Sequence, residues 1–485
     1  MEVAEKPKKS RLRLFVENML VYGLGGVIGK LVPLVMLPVV TRLMPGTTYF
    51  GLSDLSNTLV SFGQAFAIMG MYDAMFRMFF EQDELNYKRR VCSTAFFFVT
   101  SCSLIVASVI FIFRDSISGV LFGSVEFSSL ATVSALSVLV GGNNSIIQAP
   151  TRMQNKKITF IAMNLVTSIL SYLITIPMIL AGMYLMALPV GGLLASLTAL
   201  IVFAVLNRNW FSFGAFDGKL LREMLAIGVP LMPTFLFYWI FNSADRIMIV
   251  NLIGADASGI YAVAAKLGHV SQLIYTGFSQ GWQYFAFSTM KDSDQVDLNS
   301  RVYEYLGVVS FFATGALLVF LKPLYNVLFP ERYASGVYSV PYLFLAPLLL
   351  MLYQVAANQL LVVKKTWPAL IVLFFGGAAN IVANMVLISR IGIEGASVAT
   401  LIGYALTNAG VLALLTHMKL LRIRTRFYAV VLAGCAYFIL WRFVTYGSIV
   451  LTLLPFVVFL CIVGILYKQE LKALIVRLGM KRRVD

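Results

Sequence analysis

The chain has 485 residues, of which 59% are apolar and only 12% are charged. A soluble domain is roughly 45–50% apolar and about 25% charged, so this composition excludes an ordinary soluble protein and favours the lipid bilayer as the solvent. The net charge of +16 raises the question of a nucleic-acid partner, which the positions of the basic residues decide.

Apolar segments recur along almost the whole chain, and a membrane-spanning helix needs roughly 17–25 residues. We predict fourteen transmembrane helices, at residues 18–42, 50–79, 91–113, 127–149, 158–181, 185–206, 224–250, 257–290, 302–321, 337–362, 367–388, 393–416, 427–446 and 448–467. The two longest, 50–79 and 257–290, are expected to tilt, bend or extend beyond the membrane. No segment alternates like a strand of a membrane barrel, so the predicted fold class is all-α.

Lysine and arginine fall mainly on one side of these spans. With the N-terminus in the cytoplasm, 28 of the 38 basic residues lie in cytoplasmic segments, six in the opposite loops and four within spans. This alternation follows the positive-inside rule, and it predicts a multi-pass inner-membrane protein with both termini cytoplasmic and no nucleic-acid partner. The first apolar segment is too long for a signal peptide, so we expect it to be retained.

A weak internal similarity suggests a duplicated architecture. The segments Val40–Met44 and Ala244–Met248 each end a span and precede a helix start that contains glycine and tyrosine. Six spans separate them, so a duplication gives both halves the same orientation, with substrate bound near the midplane between two lobes. We predict an N-terminal lobe of helices 1–6 (residues 1–216), a C-terminal lobe of helices 7–12 (217–425), and helices 13–14 with a basic cytoplasmic tail (426–485).

Basic side chains inside predicted spans are costly and therefore indicate function. Those within the spans belong to the leading helices of the two lobes, and Arg42 lies near the outer interface. The full set is Lys30, Arg42, Arg77, Arg246 and Lys266. If they converge, the cavity is cationic and suits an anionic cargo such as a diphosphate. Interfacial anchoring is an equal alternative for Arg42 and Arg246. A structural ion pair with Asp73, four residues away, is the alternative for Arg77.

Acidic side chains in the same helices are candidates for coupling transport to H⁺ or Na⁺: Asp54, Asp73 and Asp245. The histidines and cysteines show no metal-ligand spacing, and no phosphate-binding Gly-Lys-Ser/Thr loop occurs, so we expect neither a metal nor a cofactor. The loops are too short for a catalytic domain, which predicts that the protein is not an enzyme. An integral-membrane glycosyltransferase or polymerase is the competing enzyme class.

Several segments of the chain, taken in order, resemble a known transporter family. They are Leu37–Arg42 with Gly51–Leu55, Ala74–Glu81, Asn242–Arg246 with Gly259–Tyr261, Gly281–Ser288, and Asn380–Ile402. Over nearly its whole length the chain resembles the Wzx-type polysaccharide transporters of the multidrug/oligosaccharidyl-lipid/polysaccharide exporter (MOP) superfamily. Its fourteen spans depart from the twelve often assigned to Wzx-type members and look more like the related lipid II flippases.

The resemblance implies a flippase with two six-helix lobes around a central cavity. By alternating access it would move an undecaprenyl-diphosphate-linked oligosaccharide to the outer leaflet for surface polysaccharide (O-antigen) synthesis, in contact with membrane lipid and polysaccharide assembly proteins. Cavity residues matching Lys30, Arg77, Arg246 and Lys266 would engage the diphosphate or an anionic sugar. A drug/cation antiporter of the same superfamily is the alternative and predicts a cavity dominated by acidic charge. A scaffold without transport activity ranks third.

Overall fold

The computed structural model describes residues 31–212, 214–276, 278, 282, 294–363, 365, 367–470 and 472. This part of the chain is helical and contains no β-strand. Its α-helices are α1 (Leu31–Leu43), α2 (Thr48–Ile68), α3 (Met71–Phe79), α4 (Leu85–Ile112), α5 (Arg114–Leu121), α6 (Ser128–Ile147), α7 (Ala149–Met153), α8 (Lys157–Leu180), α9 (Tyr184–Leu206), α10 (Gly218–Gly228), α11 (Met232–Ile253), α12 (Ala255–Gly268), α13 (Gln295–Leu328), α14 (Val340–Val362), α15 (Trp367–His417), α16 (Thr425–Leu440) and α17 (Ile449–Leu466).

A described helix lies at each of the predicted spans, and the predicted all-α membrane fold is confirmed. Within the described ranges, nine helices are long and apolar enough to cross a membrane, or ten if the bent pair α2 and α3 is one span. Helix α15 covers two predicted spans. Its backbone leaves helical geometry at Ile391 and Gly392, between the two. The predicted spans 18–42 and 257–290 lie partly outside the described residues.

Of the three outcomes expected for the long second span, the structure shows a bend, at Met69 and Gly70, where α2 and α3 meet at 47°. Both residues have positive φ angles, 47° and 69°. A Cβ atom on Gly70 would lie 2.4 Å from the carbonyl oxygen of Gly228, at the end of α10. Only glycine combines this backbone conformation with so close an approach, so the bend is fixed by the sequence at this position.

The described residues pack as two compact units. One comprises the described residues within Met1–Lys266 and Asn380–Ala399, and the other comprises those within Leu267–Ala379 and Thr400–Asp485. This partition follows packing contacts and not the predicted repeat, so the lobe boundaries at residues 216 and 425 stay predictions.

In the first unit, α2, α4, α6 and α9 pack around an apolar core, and α8 packs against α9. Small residues let the helices approach closely: a Cβ atom on Gly63 of α2 would lie 2.6 Å from the side chain of Val138 on α6. The hydroxyl groups of Ser56 and Ser134 lie 2.7 Å apart across the same pair of helices. Small residues and interhelical hydrogen bonds of this kind hold helices together in lipid, where the hydrophobic effect does not.

In the second unit, α13 packs against α14, α16 and α17. The carboxylate of Glu304 on α13 is 1% exposed and accepts a hydrogen bond from Arg426 on α16 at 3.4 Å. Arg426 also donates to Glu470 at 2.6 Å. Partial burial opposes the charged form of Glu470, but the contact with Arg426 outweighs it and lowers the pKa of Glu470. This network ties the last helices to α13.

Candidate functional site

Four charged side chains from three helices of the first unit form one group, which we call the ion-pair cluster: Asp54 on α2, Asp245 and Arg246 on α11, and Lys266 on α12. Nε of Arg246 donates to Oδ2 of Asp54 at 2.5 Å, and its Nη1 lies 3.8 Å from Oδ1 of Asp245. Nζ of Lys266 lies 3.9 Å from Oδ1 of Asp54. The structure thus brings together two of the predicted basic site residues and two of the predicted acidic ones.

Asp245 is held by two hydrogen-bond donors. The backbone N–H of Arg246 donates to its Oδ1 at 2.9 Å, and the hydroxyl of Tyr261 on α12 donates to its Oδ2. Both Asp245 and Tyr261 are buried. A buried acceptor that loses its donor costs about 1–3 kcal/mol, and more when it is charged. Tyr261 therefore lets α12 support a carboxylate that belongs to α11.

Acids and bases are equal in number in the ion-pair cluster, so the four residues do not form the purely cationic site expected from the sequence. The side chains of Asp54, Asp245 and Arg246 are 10%, 7% and 14% exposed, whereas that of Lys266 is 42% exposed. Removing one member of a buried ion pair costs about 3–5 kcal/mol, because it leaves the other charge uncompensated. Lys266 is the more accessible of the two cations in the cluster.

A small cavity of about 160 Å³ adjoins the ion-pair cluster and is lined in part by Asp54, Asn57, Tyr172 and Lys266. The ammonium group of Lys266 also lies 5.6 Å from the centre of the Phe50 ring, within cation–π distance. Pockets that hold drug-sized ligands measure roughly 300–1,000 Å³. This cavity is therefore sized for a small group and not for an oligosaccharide.

Two of the remaining predicted site residues, Asp73 and Arg77, do not join the cluster. Asp73 and Arg77 lie on α3, both are exposed, and no ion pair of the described residues joins them to each other or to the cluster. The structural ion pair considered for Arg77 is therefore not formed in this structure. Arg42 is exposed near the end of α1, and Lys30 lies outside the described residues.

A second, larger cavity of about 580 Å³ also lies within the first unit, and we call it the amide cavity after its two glutamines. Its walls include the aromatic side chains Phe160, Phe235 and Trp239. Its polar lining residues include Gln64 on α2, Tyr72 and Asp73 on α3, Ser145 on α6, Gln148 between α6 and α7, and Arg152 on α7. The volume falls in the range of small-molecule sites, and the mixture of apolar walls with few polar groups is typical of them.

Sequence reasoning missed the main polar residues of the amide cavity. The predicted topology places Arg152 in a cytoplasmic loop. In the structure its Nη1 donates to the hydroxyl of Tyr72 at 2.8 Å, and its guanidinium lies 5.3 Å from the centre of the Phe160 ring. Gln64 and Gln148 are neutral and escape a search for intramembrane charges. The signal that could have found them is an amide within or next to an apolar segment, since such groups also need partners in lipid.

The loop between α1 and α2 contacts the start of α12. The hydroxyls of Thr48 and Thr47 donate to Oδ1 of Asp256, the latter at 2.9 Å, and these hydrogen bonds lower the pKa of Asp256. A Cβ atom on Gly51 would lie 2.5 Å from the backbone nitrogen of Gly259. The helices α2 and α12 therefore begin in direct backbone contact.

Comparisons of the sequence with known proteins identify one family. The profile of the family described as "Polysaccharide biosynthesis protein" matches residues 39–337. An uncharacterized membrane protein of Methanocaldococcus jannaschii is 22% identical over 409 residues, which cover 78% of this chain and 93% of that protein. A second uncharacterized membrane protein of the same organism is 25% identical over 198 residues, 39% of this chain and 38% of that protein.

Comparisons of the structure identify transporters with the same fold. The lipid II flippase MurJ in an inward closed conformation matches with a TM-score of 0.70 at 15% identity, over 95% of this chain and 100% of that one. An inward-facing MATE family multidrug transporter of the MOP superfamily matches with a TM-score of 0.59 at 13% identity, over 81% and 98% of the two chains. A MOP superfamily transporter from Pyrococcus furiosus matches with a TM-score of 0.56 at 14% identity, over 84% and 95%.

Proposed function

Since the chain belongs to the polysaccharide biosynthesis protein family and has the fold of MOP superfamily transporters, we propose that it flips an undecaprenyl-diphosphate-linked oligosaccharide from the cytoplasmic to the outer leaflet of the inner membrane. The superfamily resemblance found in the sequence is confirmed, and the family and fold agree with a protein that is not an enzyme. One observation carries the proposal: helices of a single unit line two cavities of different size, about 160 and 580 Å³, and each cavity has polar side chains in its lining.

The ion-pair cluster supports binding of the diphosphate. Lys266 is partly exposed, adjoins the small cavity and lies 3.9 Å from Asp54, a distance at the outer limit of an ion pair. An anionic phosphate that enters the cavity would compete with Asp54 for Lys266, while Arg246 keeps its shorter contact with Asp54. Lys30, Arg42 and Arg77 remain predicted contributors to diphosphate binding, with Lys as a point charge and Arg able to bind in a bidentate manner.

Alternating access between the predicted lobes is the proposed mechanism, with both termini in the cytoplasm. Two close glycine contacts lie where the lobes would have to separate: Gly51 with Gly259 at the start of α2, and Gly70 with Gly228 at its end. Opening the cavity toward one leaflet and then the other would break these contacts in turn. Polysaccharide assembly proteins that supply and consume the lipid-linked glycan are the expected partners.

Coupling to H⁺ or Na⁺ is part of the proposal, and Asp73 is the leading candidate among the three predicted carboxylates. Asp54 and Asp245 are paired with Arg246, whereas Asp73 lines the amide cavity and takes part in no ion pair within the described ranges. A carboxylate without a basic partner is the one that gains most from binding a cation or a proton. Replacing Asp73 with Asn should therefore remove any dependence of the flipping rate on a pH or sodium gradient.

The proposal is tested by reconstituting the full-length protein in liposomes that contain undecaprenyl diphosphate carrying a fluorescent trisaccharide. A membrane-impermeant quencher reads the fraction of lipid that reaches the opposite leaflet. We expect flipping that needs the protein and is absent from empty liposomes. If liposomes with and without the protein behave alike for every glycan tried, the flippase assignment is wrong.

A drug/cation antiporter is the second candidate function, because Asp73 places an acidic charge at the amide cavity and the fold is shared with MATE transporters. The same proteoliposomes distinguish the two functions when they are loaded with ethidium and placed in a proton or sodium gradient. Gradient-dependent ethidium transport without glycan-lipid flipping would establish the antiporter. Glycan-lipid flipping without ethidium transport would exclude it.

A further inference from the structure

Two amides at the amide cavity lack hydrogen-bond partners within the described part of the chain. The side chains of Gln64 and Gln148 make no hydrogen bond to described residues, yet neither is among the buried polar atoms that are cut off from solvent. Both amides therefore face the cavity space. Polar groups in a membrane protein are expensive unless they are paired, so a partner that enters the cavity is the physical reason to keep them there.

Space for one of these amides is provided by a glycine. A Cβ atom on Gly141 of α6 would lie 1.9 Å from Nε2 of Gln64, so any larger residue would displace the amide. The indole N–H of Trp239 donates to the carbonyl oxygen of Thr58 at 3.1 Å, which fixes an aromatic wall of the same cavity. The ring is thus positioned before a ligand arrives, which lowers the entropy cost of binding, while the amide has room to reach a ligand.

The charges at the amide cavity balance. Arg152 is oriented by the Tyr72 hydroxyl and the Phe160 ring, and Asp73 lines the same cavity. A diphosphate offers only hydrogen-bond acceptors and carries negative charge, so Asp73 and the amide oxygens would repel it. A sugar offers hydroxyl groups that both donate and accept, which is what amides require, and apolar C–H faces that suit aromatic walls.

We infer that the amide cavity is the subsite for the sugar headgroup of the lipid-linked cargo, distinct from the diphosphate site at the ion-pair cluster. This inference rests on the proposed flippase function. Gln64 and Gln148 hydrogen-bond the sugar hydroxyls, Arg152 and Asp73 bind hydroxyl or amide substituents, and Trp239 packs against a ring face. A neutral or zwitterionic glycan is the class of headgroup that this lining selects.

The test compares two lipids on the purified full-length protein: undecaprenyl diphosphate alone, and undecaprenyl diphosphate carrying a neutral trisaccharide. Affinities are measured by microscale thermophoresis for the wild type and for the double variant Gln64→Leu/Gln148→Leu. Gln154→Leu is the matched control, because it removes an amide that does not line the cavity. Arg152→Gln is compared in the same way with Arg208→Gln, a cation outside the cavity lining.

We expect the double variant to bind the glycan lipid at least roughly tenfold more weakly while its affinity for the bare lipid stays the same. An unchanged affinity for the glycan lipid, or an equal loss for both lipids, would overturn the headgroup subsite. If the wild type binds neither lipid, the proposed function itself fails together with the inference. Should the double variant not fold, Gly141→Ala displaces the Gln64 amide without removing it and is expected to weaken glycan-lipid binding selectively.

Discussion

The ion-pair cluster and the amide cavity lie on the same two helices but satisfy their polar groups in opposite ways. Helix α2 contributes Asp54 to the cluster and Gln64 to the cavity, ten residues and therefore roughly 15 Å further along the helix. Helix α11 contributes Arg246 and Trp239 in the same manner. The cluster pairs its charges internally, whereas the cavity leaves its amides without partners in the described residues. The difference indicates that ion pairs stabilise the cluster even without a ligand, whereas the amides of the cavity are open to one.

The largest effect on stability is expected from breaking the cluster. Replacing Arg246 with Gln removes the cation that lies nearest to the buried carboxylates of Asp54 and Asp245, which should lower the free energy of unfolding by about 3–5 kcal/mol. Thermal unfolding in detergent measures this loss. The double variant Asp54→Asn/Arg246→Gln should recover part of it, because it also neutralises the carboxylate that makes the shortest contact with Arg246. Equal stability of Arg246→Gln and the surface control Arg208→Gln would refute the pairing.

A smaller loss is expected from the hydroxyl that supports the cluster. Tyr261→Phe removes the donor to Oδ2 of Asp245 and keeps the ring, so the free energy of unfolding should fall by about 1–3 kcal/mol. The control is Tyr305→Phe, because Tyr305 is 38% exposed whereas Tyr261 is buried. A thermal midpoint of Tyr261→Phe within the error of the control would show that Asp245 does not need this donor.

The amide cavity should respond in the opposite way, with binding affected and stability spared. Gly141→Ala places a methyl group against the flexible end of Gln64, which can move aside. We expect a change in unfolding free energy below about 0.5 kcal/mol and a roughly threefold weaker affinity for the glycan lipid. A large fall in the thermal midpoint with normal glycan binding would reverse this assignment.

The smallest effect is expected at the loop contact outside both sites. The pKa of Asp256 is lowered in the folded protein, so its hydrogen bonds with Thr47 and Thr48 stabilise the fold above the ordinary Asp pKa of about 3.9, and this stabilisation is lost as the pH falls through the lowered value. Asp256→Asn should lower the thermal midpoint by less than about 2 °C at pH 7. The difference from the wild type should shrink below pH 4, and a difference that grows there would contradict the contact.

The sequence predicted the cluster better than the cavity, for a physical reason. Asp54, Arg246 and Lys266 stand out because charges in apolar segments are rare and costly, and the structure brings them together. Their pairing could not be predicted, since it depends on which faces of α2, α11 and α12 meet. Arg77 has the same signal but is exposed beyond the bend at Gly70, where no ion pair of the described residues joins it to the other three.

The sequence predicted the features of the fold that depend on local composition, and it did not predict those that depend on packing between distant segments. Apolar length located a helix at every predicted span, and the excess length of 50–79 predicted a tilt, a bend or an extension, of which the structure shows the bend between α2 and α3. The position of that bend depends on the contact between Gly70 and Gly228, which lie far apart in sequence. The amide cavity likewise combines residues from α2, α3, α6 and α11, and no spacing along the chain indicates such a set.

The division into a diphosphate site and a sugar site is tested by measuring initial flipping rates of the two lipids by three proteins in liposomes: the wild type, the cluster variant Lys266→Gln and the cavity variant Gln64→Leu/Gln148→Leu. We predict that the wild type flips the glycan lipid faster than bare undecaprenyl diphosphate. The cluster variant should lose flipping of both lipids, and the cavity variant should lose only the advantage of the glycan lipid. If both variants reduce the two rates by the same factor, the division between a diphosphate site and a sugar site is wrong.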